Sequence, residues 1–142
     1  MKASENKCEQ CGRYINRGTS VDAVIINYDK ILLIKRRNDP YKNYWALPGG
    51  YIDWNESAEE AVAREVKEEV DLVVNSIRLI GVYSSPDRHP AQVINIAFEV
   101  SVSGQAKAGD DAQELKWFLL NELPKELAFD HAKIISDGLT KK

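Results

Sequence analysis

The stretch GYIDWNESAEEAVAREVKEEVDL, residues 50–72, decides how this chain is read. Ser57 and Glu60 form an S-x-x-E capping box, which marks the start of a helix over residues 57–70. At roughly 100° per residue, Ala58, Val62, Val66 and Val70 make one apolar stripe that drifts slowly round the helix. Glu65 and Glu69 fall inside that inward sector. Glu68 lies on the neighbouring flank, and Glu60, Arg64 and Lys67 belong on the outer side. Two carboxylates at i, i+4 repel each other, and burying them unpaired costs more still. A cation held between them removes both penalties, and an oxygen-only ligand set suits Mg²⁺ or Mn²⁺. A solvated acidic face is the competing reading, and the helix alone does not separate the two.

The flanking sequence is rich in strand signals. TSVDAVII (19–26) is a β-branched run of buried-strand type, and the turn-forming NYDK leads into ILLIKRR (31–37) as the returning strand. Residues 38–56 carry Pro40, Pro48, Gly49 and Gly50 and are irregular in part. After the helix, IRLIGVYS (77–84), QVINIAFEVSV (92–102) and ELKWFLL (114–120) read as strands. LNELPKEL (120–127) carries a one-turn helix ended by Pro124, and a last helix runs from His131 to about Leu139. Strands interspersed with helices predict an α/β sandwich with a mixed sheet.

Composition narrows the function classes. With 142 residues, 44% hydrophobic and 29% charged, the chain suits one compact soluble domain over residues 19–142, preceded by a polar extension over residues 1–18. A net charge of −3 argues against a nucleic-acid partner. No apolar run is long enough to span a bilayer, and the N-terminus has no secretory stretch, so a cytoplasmic address is the default expectation. Cys8 and Cys11 form C-x-x-C-G, one knuckle of a ribbon-like zinc site. A remnant without metal, a zinc shared across a dimer and a redox pair remain open for it.

The spacing across residues 50–72 resembles the Nudix box, G-x5-E-x7-R-E-U-x-E-E-x-G-U, where U is a bulky apolar residue. Gly50, Glu56, Arg64, Glu65, Val66, Glu68, Glu69 and Leu72 fall on its fixed positions, and Asp71 replaces its glycine. WALPGG before the box and the strand pattern around it extend the resemblance over about residues 19–140. The resemblance implies a Nudix-type α/β/α sandwich with a mixed sheet. It also implies a Mg²⁺- or Mn²⁺-dependent attack of water on a pyrophosphate phosphorus. By position, Glu65, Glu68 and Glu69 match metal-binding glutamates, and Glu56 and Arg64 match a bracing pair. Gly49 and Gly50 match glycines that let the backbone turn tightly into the site. Asp71 is expected to end the helix in the left-handed region at modest cost.

The resemblance implies a base for the water among the box glutamates Glu68 and Glu69 or the carboxylates of AGDDAQELKWF, namely Asp110, Asp111 and Glu114, with a solvated acidic loop as the alternative for each of the last three. Arg36, Arg37 and Arg88 are candidates for a phosphate contact, with surface solubility as the alternative for each. Trp45 and Trp117 are expected in the core. GVYSSPDRHP (81–90) and LAFDHAKII (127–135) resemble the ADP-ribose pyrophosphatase branch, whose members yield AMP and ribose 5-phosphate and are often homodimers. An enzyme acting on oxidised nucleoside triphosphates is the rival, but its base-reading asparagine would fall at Lys133, which cannot accept a hydrogen bond. A non-catalytic nucleotide-sensing module is the reading from another class.

Overall fold

The computed structural model describes residues 7–109 and 112–140. Its elements run β1 (Thr19–Asn27), β2 (Lys30–Arg36), β3 (Trp45–Ala46), β4 (Gly49–Tyr51), α1 (Ala58–Val70), β5 (Val73–Tyr83), β6 (Ile94–Ser103), β7 (Ala112–Leu119) and α2 (His131–Thr140). A 3-10 turn, Pro86–Arg88, lies between β5 and β6. No helix among the described residues is long and apolar enough to cross a membrane.

The β-branched strand β1 is the hub of the mixed sheet. It runs parallel to β6 from Thr19↔Ile94 to Ile25↔Val100 and antiparallel to both β2 and β4. β5 extends the sheet beyond β6, and β2 carries β3 and β7. Side chains alternate across a strand, so β1 feeds two cores. Val21, Ala23 and Ile25 pack with Val62, Val66 and Val70 of α1. Val24 packs with Ile134 and Ile135 of α2. One helix therefore covers each face, which is the layering expected from sequence.

The ends of α1 follow the local chemistry. The Glu60 amide donates to Ser57 Oγ at 3.1 Å, and the Ser57 amide donates to Glu60 Oε1 at 3.0 Å, so both bonds of the capping box are made. At the other end Asp71 takes φ 56° and ψ 38°, with its amide donating to the Lys67 carbonyl. A short polar side chain tolerates that region. Lys67 Nζ, 2.7 Å from Asp71 Oδ1, holds the carboxylate in place.

Two expectations need correction. β5 begins at Val73 rather than at residue 77, because Val73 and Val74 continue the pairing with Ser103 and Val102. Residues 120–127 form no helix. The Leu120 amide donates to the Asp29 carbonyl, and the Glu126 carbonyl accepts from the Trp45 amide, so this segment bonds outward as a strap. Pro124 supplies no amide to a competing helix. Trp45 stacks edge-on against Phe118 and Trp117 packs on the α1 core, as expected. Trp54 is 90% exposed.

Candidate active site

The inward face of α1 carries its two central carboxylates into the protein. Glu65 is 9% exposed and Glu69 7%, beside fully buried Val62 and Val66. Glu68, one position round the helix, has a side chain 58% exposed. The wheel therefore ranks the three glutamates correctly.

Arg64 does not point outward as the wheel suggested. Its guanidinium donates to Glu56 through Nη2 at 2.6 Å and Nε at 2.9 Å, and through Nη1 to Glu65 at 2.9 Å and Glu68 at 3.2 Å. Nη2 also reaches the Tyr51 carbonyl at 3.0 Å. The loop before the helix brings Glu56 under Arg64, and a two-point pairing with a carboxylate outweighs solvation of one long side chain. The Arg64 hydrogen bonds, aided by the Asp53 amide, hold the Glu56 pKa down at about 2. A depressed folded-state pKa contributes stability that is present above the ordinary carboxylate range and lost as pH falls through the folded value. Glu56→Gln should therefore lower the urea midpoint near neutral pH, and the deficit should fade as pH drops from 4.5 towards 2. A pH-independent deficit would show that the carboxylate charge is not what braces the loop.

Gly49 and Gly50 sit in β4, under α1 and against β1. A Cβ on Gly49 would lie 2.1 Å from the Val21 carbonyl oxygen and 2.2 Å from Asp22 Oδ1, and one on Gly50 would lie 2.4 Å from Glu65 Oε1. Neither residue has a positive φ. The expectation of a tight turn is thus corrected: these glycines permit close approach in an extended strand. Gly49 also donates its amide to Glu69 Oε2 at 3.1 Å, tying β4 to α1.

Beyond Glu69 opens a cleft of ≈ 260 Å³ that reaches from α1 to α2. Ile34, Leu47, Val93 and Phe129 give it apolar walls, and Asp22, Arg36, Glu69 and His131 supply polar ones. Phe129 stacks on His89 with ring centroids 4.9 Å apart, and the Arg36 guanidinium lies 5.1 Å from the Phe129 ring centroid. Burial, with Arg88 and Arg36 nearby, lowers the His89 pKa. A smaller adjoining hollow is lined by Arg36, Arg37, Gly49 and Glu69. Arg37 donates to the Ala112 carbonyl at 3.0 Å.

Not every expected residue joins this cleft as foreseen. Arg88 borders it, but its side chain is only 4% exposed, and its guanidinium bonds Asp130 at 2.9 and 2.7 Å and the Val93 carbonyl at 3.0 Å. That geometry makes it a buried brace rather than a group presented to phosphate. Glu114 does not line the cleft: strand alternation turns Leu115 to the core and leaves Glu114 56% exposed, 3.6 Å from Lys35 Nζ. Asp110 and Asp111 lie outside the described residues. Cys8 and Cys11 are free thiols in a tight hairpin closed by the Gly12 amide on the Cys8 carbonyl. Among the described residues no three His, Cys, Asp or Glu side chains converge as a finished metal site.

Sequence reading missed a polar set on the α2 side. Asp22, Asn95 and His131 are 8%, 0% and 3% exposed. His131 Nε2 lies 3.0 Å from Asp22 Oδ2, Asn95 Nδ2 donates to the same oxygen at 2.6 Å, and the Leu47 amide donates to His131 Nδ1 at 3.0 Å. Ser20 Oγ completes the set on Asn95 Oδ1 at 3.1 Å. The available signal was the lone acid inside TSVDAVII.

The NUDIX domain profile matches residues 16–138. The chain belongs to the Nudix family. It is 54% identical over 131 residues to an ADP-ribose pyrophosphatase of Methanocaldococcus jannaschii, covering 91% of this chain and 77% of that protein. The NUDIX domain of Shewanella oneidensis NrtR, solved with ADP ribose, superposes with a TM-score of 0.80 at 26% identity, covering 99% of each chain. A bifunctional NMN adenylyltransferase/ADP ribose pyrophosphatase of Francisella tularensis, solved with AMP and a Mn ion, gives a TM-score of 0.74 at 26% identity. This Nudix chain covers 42% of that longer protein, and 89% of its own length is matched. The likeness to the ADP-ribose pyrophosphatase branch and the α/β sandwich expected from sequence both stand.

Proposed function

We propose that this Nudix chain hydrolyses ADP-ribose to AMP and ribose 5-phosphate with the help of a divalent cation. The observation that carries the chemistry is the pair Glu65 and Glu69, buried at i, i+4 and opening through Glu69 onto the cleft. The choice of ADP-ribose is supported by the 54% identity to an ADP-ribose pyrophosphatase.

The donor set fits a hard cation. Its oxygens are all carboxylate, and Gly50 leaves the space against Glu65 that a side chain would fill. Three ready-made protein ligands are not required of such a site, since Mg²⁺ keeps several waters and shares phosphate oxygens. We assign its holding to Glu65, Glu69 and, from the exposed flank, Glu68. A cation held there would offset the negative charge of the pyrophosphate and make the attacking water easier to deprotonate. Arg64 and Glu56 hold the loop and helix in register. Arg36 lies on the cleft wall where it can meet a phosphate, and Arg37 borders the adjoining hollow. Water adds to one phosphorus, the bridging P–O bond breaks, and the leaving phosphate departs with the electron pair. Glu68 and Glu69 stand on α1 as the candidates to take the proton, with Asp111, just ahead of β7 in the sequence, as the alternative.

The rival triphosphate reading loses support at Lys133. Its side chain is 67% exposed and its Nζ pairs with Asp137 Oδ2 at 3.1 Å, away from the cleft. A product-mass screen decides between the readings, using ADP-ribose, NADH, diadenosine polyphosphates and oxidised dGTP with Mg²⁺ or with EDTA. AMP should appear from ADP-ribose with Mg²⁺ and vanish with EDTA. Cleavage of the triphosphate alone would overturn the substrate, and turnover of none would favour a nucleotide-binding module.

A further inference from the structure

Asp22 is buried, with its side chain 11% exposed, yet it lines the cleft. Its two oxygens are treated very differently. Oδ2 takes both bonds of the polar set, from Asn95 and from His131. Among the described residues nothing donates to Oδ1, which sits where the missing Cβ of Gly49 leaves an opening. Among the described residues no buried side-chain oxygen or nitrogen lacks a partner, so Oδ1 is not sealed in but opens onto the cleft, where water or a ligand donor can meet it. Here one oxygen is anchored and the other is presented.

What it is presented to follows from charge. No Lys or Arg pairs with Asp22 among the described residues, so a phosphate oxygen at Oδ1 would meet an uncompensated like charge. A hydrogen-bond donor suits it instead. The apolar walls of the same cleft, Leu47, Ile34 and Phe129, suit a flat ring. We propose that Asp22 is a specificity-determining residue whose Oδ1 accepts a hydrogen bond from an N–H or O–H of the nucleoside part of the bound nucleotide. This rests on the reading of the cleft as a nucleotide site.

The hydrogen-bond polarity of the set is fixed by its outer partners. The Leu47 amide can only donate, so His131 Nδ1 accepts and the ring proton is assigned to Nε2, facing Asp22. Ser20 on Asn95 Oδ1 likewise turns the Asn95 amide nitrogen towards Asp22. Both neighbours therefore donate to the Oδ2 position. In Asp22→Asn the new carbonyl oxygen must take that position, and the NH₂ faces the cleft. The substitution converts a presented acceptor into a presented donor with almost no change of shape.

The test is metal-free calorimetry of the full chain with AMP, IMP, 2′-deoxy-AMP and 3′-deoxy-AMP, with a thermal melt as a check on folding. IMP carries an oxygen in place of the exocyclic amine. Wild type should bind AMP and should disfavour IMP or one deoxy analogue by about ten- to a hundredfold, which identifies the donor as amine or hydroxyl. Asp22→Asn should weaken AMP by a similar factor and shrink or reverse that one discrimination. Wild-type indifference to all four ligands, or failure to bind AMP, overturns the proposal even if the variant does not fold. So does unchanged AMP binding by a folded variant, or a parallel Mn²⁺ titration of the nucleotide-free protein in which Asp22→Asn loses Mn²⁺ binding, which would place the carboxylate in the cation site. If AMP is discriminated as expected while ADP-ribose is not hydrolysed, the substrate reading fails and the role of Asp22 stands.

Discussion

Glu69→Gln is expected to remove turnover while leaving the fold in place. The amide keeps a carbonyl oxygen for the Gly49 N–H, now accepted by Glu69 Oε2 at 3.1 Å, so β4 stays tied to α1. It keeps the volume of a residue that is only 7% exposed. What it loses is one negative charge at the mouth of the cleft. A bound cation contributes several kcal/mol of charge stabilisation in the transition state, so weakening its grip should cost on the order of a thousandfold in kcat. The Mg²⁺ concentration for half-maximal rate should rise as well. Stability should be unchanged or slightly higher, because Glu65 and Glu69 repel at i, i+4 in the cation-free protein. Steady-state kinetics across a Mg²⁺ titration, with a urea melt alongside, reads both. Near-normal turnover at ordinary Mg²⁺ would remove Glu69 from the cation site.

The second large effect concerns stability. Arg88 has a side chain 4% exposed and a two-point pairing with Asp130, one residue before α2. Asp130→Ala would leave a buried guanidinium facing no anion. Removing one partner of a buried pair typically costs about 3–5 kcal/mol, because the survivor keeps its desolvation penalty. At this chain length that corresponds to a fall in melting temperature of roughly 10 °C or more. Replacing Arg88 and Asp130 together by apolar residues should cost far less than Asp130→Ala alone. Equal losses in the single and double variants would show that Asp130 acts by capping α2 rather than by pairing Arg88.

Much of the site was legible because its signals are local. The Ser57–Glu60 box, the periodicity of Val62, Val66 and Val70, and the inward placement of Glu65 and Glu69 all lie within one helix. Asp71 too behaved as its φ preference implies. Reading failed where the partner was remote. Arg64 turns inward because Glu56 waits on a preceding loop, which a wheel of the helix does not contain. The same holds for residues 120–127, whose amides and carbonyls find Asp29 and Trp45 instead of each other. Asp22 and Asn95 stand 73 positions apart and meet only through the parallel β1–β6 register, Ser20↔Asn95 and Asp22↔Ala97. No spacing rule along the chain reveals such a meeting.

The division of β1 into two faces has a consequence for how this enzyme type can change. Glu65 and Glu69 hang from the helix on one side, while Asp22, Asn95 and His131 belong to the other. The two sets converge at Gly49, whose missing side chain leaves room for Asp22 Oδ1 and whose amide is held by Glu69, so both border one cleft. A side chain at position 49 would therefore disturb both sets at once, which makes this glycine the joint through which the two faces of the strand are kept in step.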